Sequence, residues 1–312
     1  MKFLSVCSGI EAASVAWHDL GFECVGVSEI DKFPSEVLKY HYPSVPNLGD
    51  MTKYKEWNND LAPDLLVGGT PCQSFSVAGL RKGMDDPRGN LALTYVGIAA
   101  KYKPQWFIWE NVPGVLSSNG GKDFSSFLSA MADIGYGIAY RVLDAQFFGV
   151  PQRRRRVFVV GYLGDWRPAA ATLLERESLS RNDPPSRAKR EEENTEYSGE
   201  CFSFSGQSLT AYDVGSPSPT LDTGCSHFNR GVHIAYSPDV YGRIGKVGVR
   251  RLSVVECERL QGLPENYTQG VSDTQRYKMI GNGFTVDVVA HILKGIRRND
   301  NIIRAFFGYK II

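Results

Sequence analysis

With 312 residues, 42% of them hydrophobic, the chain is long enough for one large or two modest domains around a sizeable core. Its 35 basic residues balance 34 acidic ones, so no global field marks a nucleic-acid binder, and any such contact has to come from local clusters. Six cysteines lack paired spacing, Glu11 arrives too soon for a secretory signal, and no apolar run reaches membrane-spanning length. Those features lead us to expect reduced thiols and a soluble, cytoplasmic protein.

In chain order, residues 3–6 read as a strand and 11–20 as a helix with Ala12, Val15, Ala16 and Leu20 facing inward. Residues 24–28 form a second strand and 32–40 a second helix. Strands follow at 65–68, 106–110, 140–143 and 157–162, with helices at 91–102 and 124–134 between them. Strands alternating with helices of this length predict βαβ units, hence an α/β fold with a mostly parallel, doubly wound sheet. The pattern lapses after Gly164. Residues 176–197 are charged and weakly periodic, as a linker is, and the following stretch is rich in Gly, Ser, Thr and Tyr, as a small irregular β-rich domain is. Helical spacing returns at 254–261 and 285–297, and the apolar tail 302–312 is expected to dock on the body.

Four constellations carry chemistry. Pro71-Cys72-Gln73 follows the apolar run Leu65-Leu66-Val67-Gly68-Gly69, which presents a cysteine where a strand opens into a loop. A thiolate there is a soft nucleophile able to add to an electron-poor ring carbon; the alternative is a buried thiol packing as a small hydrophobe. Ser8-Gly9-Ile10 joins the first strand to the first helix, and Glu29 closes the second strand twenty residues after Gly9. That spacing suits a nucleoside's ribose, or equally a plain glycine turn beside a surface glutamate. Asp50 lies where a third strand is expected to end, and either reaches an adenine amino group or caps a helix before Thr52.

Glu110 ends a strand containing Trp106 and Trp109, an apolar flank expected to raise its pKa and let it donate a proton near neutrality. In Gln152-Arg153-Arg154-Arg155-Arg156 the alternation of a strand predicts that Arg154 and Arg156 project together. Two guanidinium forks on one face suit phosphate or a base carbonyl; the competing reading is a solvated charge run.

Pro71-Cys72-Gln73-Ser74-Phe75-Ser76, Glu110-Asn111-Val112 and Gln152-x-Arg154-x-Arg156 occur in the order found in DNA (cytosine-5)-methyltransferases. Arg251-Leu252-Ser253, Glu256, Arg259, Gly262-Leu263-Pro264 and Gly281-Asn282-Gly283 follow in the same order. The chain resembles that family over 1–165 and 250–295, and this ordered set is far more specific than any one motif.

The resemblance implies a Rossmann-like catalytic domain (1–175 and 275–312) that binds S-adenosylmethionine, and a target-recognition domain with hinge (198–274) across a DNA-binding cleft, joined by the 176–197 linker. It implies that Cys72 adds to C6 of a flipped-out cytosine, that Glu110 bonds N3 and the exocyclic amine, and that Arg156 holds the base carbonyl. Arg154 would hold the 74–90 loop or a phosphate, and that loop would act as a lid. For the cofactor it points to Glu29 on the ribose and Asp50 on adenine, with Ser8, Gly9, Ile10, Ile30, Met51 and Asn282 as neighbouring walls. Double-stranded DNA is the implied partner, with Gln73, Ser76, Arg88 and Gln152 among the DNA-binding residues. Thr220, Leu221, Arg230, Arg243 and Lys246 stand in the recognition domain.

No metal is implied, since Cys201, Cys225, His227 and His233 lack Cys-x-x-Cys spacing. No membrane partner is implied either. The expected setting is the cytoplasm of a bacterium or a phage-infected host, with a monomer as the default state. The first motif departs from the family. Where Asp-Leu-Phe-x-Gly-x-Gly-Gly is usual, this chain has Ser5-Val6-Cys7-Ser8-Gly9-Ile10-Glu11-Ala12, so the adenine-stacking aromatic is replaced by Cys7. Gly283 likewise stands where serine is usual. Two alternatives keep the same residues: a tRNA cytosine-5 methyltransferase, and a catalytically inactive family member that binds DNA.

Overall fold

Six strands make the central sheet of this computed structural model, which describes residues 1–17, 20–71, 91–174, 202–205, 208–212, 232–236 and 248–307. They are β1 (Lys2–Val6), β2 (Glu23–Ser28), β3 (Leu65–Gly68), β4 (Trp106–Asn111), β5 (Tyr136–Asp144) and β6 (Arg155–Leu163), and their order across the sheet is β2-β1-β3-β4-β6-β5. From β2 to β4 every neighbouring pair is parallel, whereas β6 enters antiparallel to β4. The sheet is thus mixed, parallel through the half that was legible from strand–helix alternation. β3 and β4 are buried at every position, which is why they read as unbroken apolar runs.

The helices α1 (Ala12–Trp17), α2 (Lys32–His41), α3 (Leu91–Tyr102), α4 (Lys122–Asp133) and α5 (Arg167–Leu173) flank this sheet. Against one face, α3 places Tyr95 and α4 places Phe127, both fully buried and packed together over Phe107 and Trp109 of β4. The Tyr95 hydroxyl sits 3.1 Å from the Leu66 carbonyl and 2.9 Å from that of Ile108, which satisfies a buried polar group between two strands. In its described part α1 buries Ala12, Ala13 and Trp17 rather than Val15 and Ala16. The Trp17 ring meets Phe3 edge-on at 3.7 Å between centroids, and that contact sets the rotation of the helix.

The chain divides into two compact units. The first comprises Met1–Leu143, Arg155–Leu179 and Val289–Ile312; the second comprises Asp144–Arg154 and Ser180–Val288. In the second, β7 (Phe202–Ser205), β8 (Ser208–Tyr212), β9 (Val232–Tyr236) and β10 (Gly248–Arg251) form an antiparallel sheet in the order β10-β9-β7-β8. The same unit holds α6 (Val254–Leu260), opened by a Ser253–Glu256 capping box, and α7 (Asp273–Asn282). Its polar centre is Glu258, fully buried, which accepts from the backbone N–H of Asn266 and Thr268 and pairs with Arg276 at 3.2 Å.

α8 (Val286–Phe307) is longer than its expected span. Residues 302–307 of the expected docked tail continue this helix, with Ile302 exposed, and residues 308–312 lie outside the described residues. Neither α5 nor α7 was expected from periodicity. Among the described residues no helix is long and apolar enough to cross a membrane.

Candidate active site

The turn that leaves β1 is held in an unusual backbone. Cys7, Gly9 and Glu11 all have positive φ (49°, 55° and 58°), which glycine tolerates and the other two adopt at a cost of about 1–3 kcal/mol each. Ser8 fastens the turn to the end of β2, its N–H donating to the Ser28 carbonyl and its Oγ accepting from the Ser28 N–H, each at 3.1 Å. Glu29 completes the join. One carboxylate oxygen accepts from the Gly9 N–H at 2.8 Å and the other from the Asp31 N–H at 2.7 Å. The twenty-residue spacing therefore ends in a direct contact.

Ile30, the next residue, is 76% exposed, an apolar side chain at the carboxyl end of β2 with nothing over it among the described residues. Ile10, in contrast, is fully buried and belongs to the core. No third strand ends at Asp50. Its segment pairs with β2 at the isolated Val27–Asn47 bridge, and Asp50 caps the 3-10 turn Met51–Glu56 by accepting from the Thr52 N–H at 2.9 Å and the Thr52 hydroxyl at 2.8 Å.

Two features of this turn were not legible in the sequence. The Cys7 thiol donates to the Met51 thioether at 3.3 Å, and burial, with the Glu29 carboxylate adding to it, pushes that thiol up to about 12. Cys7 is thus a neutral, polarisable group and not a nucleophile. Glu11 is 1% exposed, with one oxygen accepting from the N–H and hydroxyl of Ser14. Burial raises its pKa to about 7 against the opposing pull of hydrogen bonds from Ser5 and Ser14.

At the next strand ends, β4 delivers Glu110, and Arg156 at the start of β6 pairs with it at 3.1 Å between Nε and Oε1. The antiparallel register that sets Glu110 opposite Phe158 and Asn111 opposite Val157 brings these two side chains together. Glu110 is 9% exposed, so this carboxylate is both buried and paired with a guanidinium.

The residues on either side of Glu110 hold the chain that leads to Cys72. Trp109 Nε1 donates to the Thr70 hydroxyl and Asn111 Nδ2 to the Thr70 carbonyl, both at 3.0 Å. Thr70 was not singled out in the sequence, because its partners lie 39 and 41 residues further along the chain.

Arg154 and Arg156 do not work as a pair. Arg154 is buried, and its guanidinium donates to the carbonyls of Gly281 at 3.0 Å and Gly283 at 2.9 Å, while its N–H donates to Asp144 at 3.0 Å. It therefore supports the backbone around Asn282, while the 74–90 loop that it was expected to hold lies outside the described residues. Gln152, expected to bind DNA, is fully buried and donates to the Leu260 carbonyl at 2.9 Å, which makes it a brace inside the second unit. Gln261, not anticipated, links Thr285 and the Ile280 carbonyl, each at 2.8 Å. Asn282 is exposed at the end of α7. Cys72, Gln73, Ser76, Arg88, Thr220, Leu221, Arg230, Arg243 and Lys246 lie outside the described residues, as do the 74–90 loop and the 176–197 linker.

Comparisons with known proteins show the family and the fold. The family model described as "C-5 cytosine-specific DNA methylase" matches residues 1–200 and 186–298. A protein of Escherichia phage P1 named DNA N-6-adenine-methyltransferase is 43% identical over 240 residues, which cover 60% of this chain but 32% of the phage protein. The Type II methyltransferase M.BsuFI of Bacillus subtilis is 31% identical over 299 residues, covering 93% of this chain and 70% of its own length. Among solved structures, S. pombe Dnmt2 methyltransferase superposes with a TM-score of 0.70 at 17% identity, over 96% of this chain and 99% of that one, a likeness of fold. The six-stranded sheet is that of the Rossmann-like methyltransferases, and the chain belongs to the C-5 cytosine-specific DNA methylase family.

Proposed function

We propose that this protein is a DNA cytosine-5 methyltransferase that uses S-adenosylmethionine and acts on a flipped-out cytosine through Cys72. The observation that carries the reading is the adjacency of β3, β4 and β6. The chain end that leads through Thr70 to Cys72, the Glu110 carboxylate and the Arg156 guanidinium all belong to neighbouring strand ends of one sheet.

The chemistry follows from those groups. The thiolate of Cys72 forms a bond to C6, and the electron pair of the C5–C6 double bond moves into the ring, making C5 nucleophilic. Glu110 and Arg156 face the N3 and carbonyl edge, where they meet charge as it develops in a site already arranged for it. The cofactor, when bound, supplies an electrophilic methyl group. After transfer, loss of the C5 proton and expulsion of the thiolate restore the aromatic ring and free Cys72. Since C6 is inaccessible in a stacked duplex, the base has to leave the stack.

The residues present fit such a cofactor. Each oxygen of Glu29 already accepts one backbone N–H and keeps a second lone pair for a diol, and exposed Ile30 beside it offers an apolar surface to a flat ring. Met51 and Cys7 supply sulfur in place of the missing aromatic. The name of the phage P1 relative does not transfer, since this chain aligns with only 32% of it and methylation of an exocyclic amine requires no thiol nucleophile. A Type II relative such as M.BsuFI makes a restriction-paired role a reasonable setting.

The test is incubation of the purified protein with labelled S-adenosylmethionine and unmethylated DNA, with Cys72→Ala alongside, and mass analysis of the nucleosides. Label in 5-methylcytosine that is lost by at least about a hundredfold in the variant is the expected outcome. Label in N6-methyladenine, or only in added tRNA, overturns the substrate assignment.

A further inference from the structure

We propose that Asn47 is a positioning residue of the cofactor site, its side-chain amide holding Glu29 and the Gly49–Asp50 turn in one register. The inference rests on the cofactor reading above and extends it to a residue that no motif marks.

Asn47 bonds through both ends of its amide. Oδ1 accepts from the Glu29 N–H at 3.1 Å and from the Gly49 N–H at 3.0 Å. Nδ2 donates to the Glu29 carbonyl at 3.1 Å and to the Ser35 hydroxyl at 3.2 Å. The amide orientation is unambiguous, because reversing it would set N–H against N–H at two of the four contacts. The side chain thus mimics a peptide group, pairing with Glu29 on both its N–H and its carbonyl just beyond the last residue of β2.

Two of its partners, Glu29 and Gly49, lead to the candidate site. The Glu29 carboxylate reaches back to the Gly9 N–H in the β1 turn, and Gly49 precedes Asp50. Gly49 has a φ of 70°, so the turn needs glycine there, and the Asn47 oxygen takes up its N–H. One exposed side chain therefore bonds at once to Glu29, to Gly49 and to Ser35 of α2.

Removing the amide should spare the fold. Backbone bonds from Val27 to Pro46 and from Leu48 to Val27 remain, as does the Ser28 hydroxyl on the Gly49 carbonyl. Asn47 is exposed, so truncation leaves no cavity. What is lost is the alignment of Glu29 with the turn that carries Asp50.

The experiment is calorimetric titration of the full-length protein with S-adenosylhomocysteine, for wild type, Asn47→Ala, Asn47→Asp and Ser35→Ala, together with steady-state kinetics and thermal melts. We expect Asn47→Ala to weaken binding by about tenfold, as loss of one or two net hydrogen bonds implies, with KM for the cofactor rising in step. Its kcat at saturating cofactor and its melting temperature should stay near wild type. Asn47→Asp, which keeps the acceptor and loses both donors, should fall between, and Ser35→Ala should shift affinity least. Wild-type affinity in Asn47→Ala overturns the inference alone, as does a loss confined to kcat or an affinity loss that simply tracks a lowered melting temperature. Absence of binding by the wild-type protein overturns the cofactor reading and this inference together.

Discussion

Glu11 illustrates how much a single residue decides at this site. It stands where the family usually has glycine, keeps the left-handed backbone that glycine would favour, and buries a carboxyl whose pKa rises to about 7. The folded pKa lies above the ordinary 4.5, so the protonated form is the one the fold prefers. Its contribution to stability is fully present below the ordinary value and is lost as pH rises through about 7. The difference corresponds to on the order of 3 kcal/mol. Glu11→Gln, which imitates the protonated form, should therefore melt higher than wild type near about pH 9, and the advantage should vanish near about pH 4.5. Chemical denaturation across that range checks it; a gap that is constant with pH would sink the account. The Gly9–Glu29 contact was legible from spacing, because both residues sit at ends of elements that the hydrophobic pattern defines. The partners of Arg154 were not, since they lie 127 and 129 residues further along the chain.

At the level of elements, β4 and β6 show why the sheet tolerates so little change. Gly161 in β6 lies directly over Phe107 of β4, its register partner, and a Cβ there would come within 2.6 Å of three ring atoms. Phe107 has no room to yield, being fully buried and packed edge-on against Tyr95 and Tyr136. Gly161→Ala should cost about 3 kcal/mol, the upper end of ordinary overpacking, read as a shift in denaturation midpoint. A variant within about 0.5 kcal/mol of wild type would show that the strand can move. The elements found from sequence were those with strong apolar patterning, such as β3, β4 and α3. α5 and α7 were missed because their buried faces are short and interrupted, three residues in the one and four, including a glycine, in the other. β6 was found, but its direction was not, as alternation of hydrophobicity does not encode which way a strand enters a sheet.

On the scale of the whole molecule, the last helix joins the two compact units in sequence. Every motif that carries the family resemblance ends by Val286, yet the residues from Val289 onward belong to the first unit. There Val289, Ile292, Leu293 and Ile296 are fully buried, together worth roughly 6–12 kcal/mol of burial. A chain stopped after Val288 would keep all the motifs and should still lose the cooperative thermal transition of the first unit, since that sum rivals a domain's whole stability. A melt within a few degrees of full length, followed by circular dichroism, would refute this. What the sequence by itself determined is the order of chemical groups along the chain, the strands and helices with strong periodicity, and the family, because these depend on local spacing and residue type. The tertiary structure alone decided which guanidinium meets Glu110 and which supports Gly281 and Gly283, that Thr70 is held from β4, and that Gln152 is internal. Those outcomes depend on sheet order, strand direction and long-range burial, physical facts that arise only when distant segments compete for the same interior.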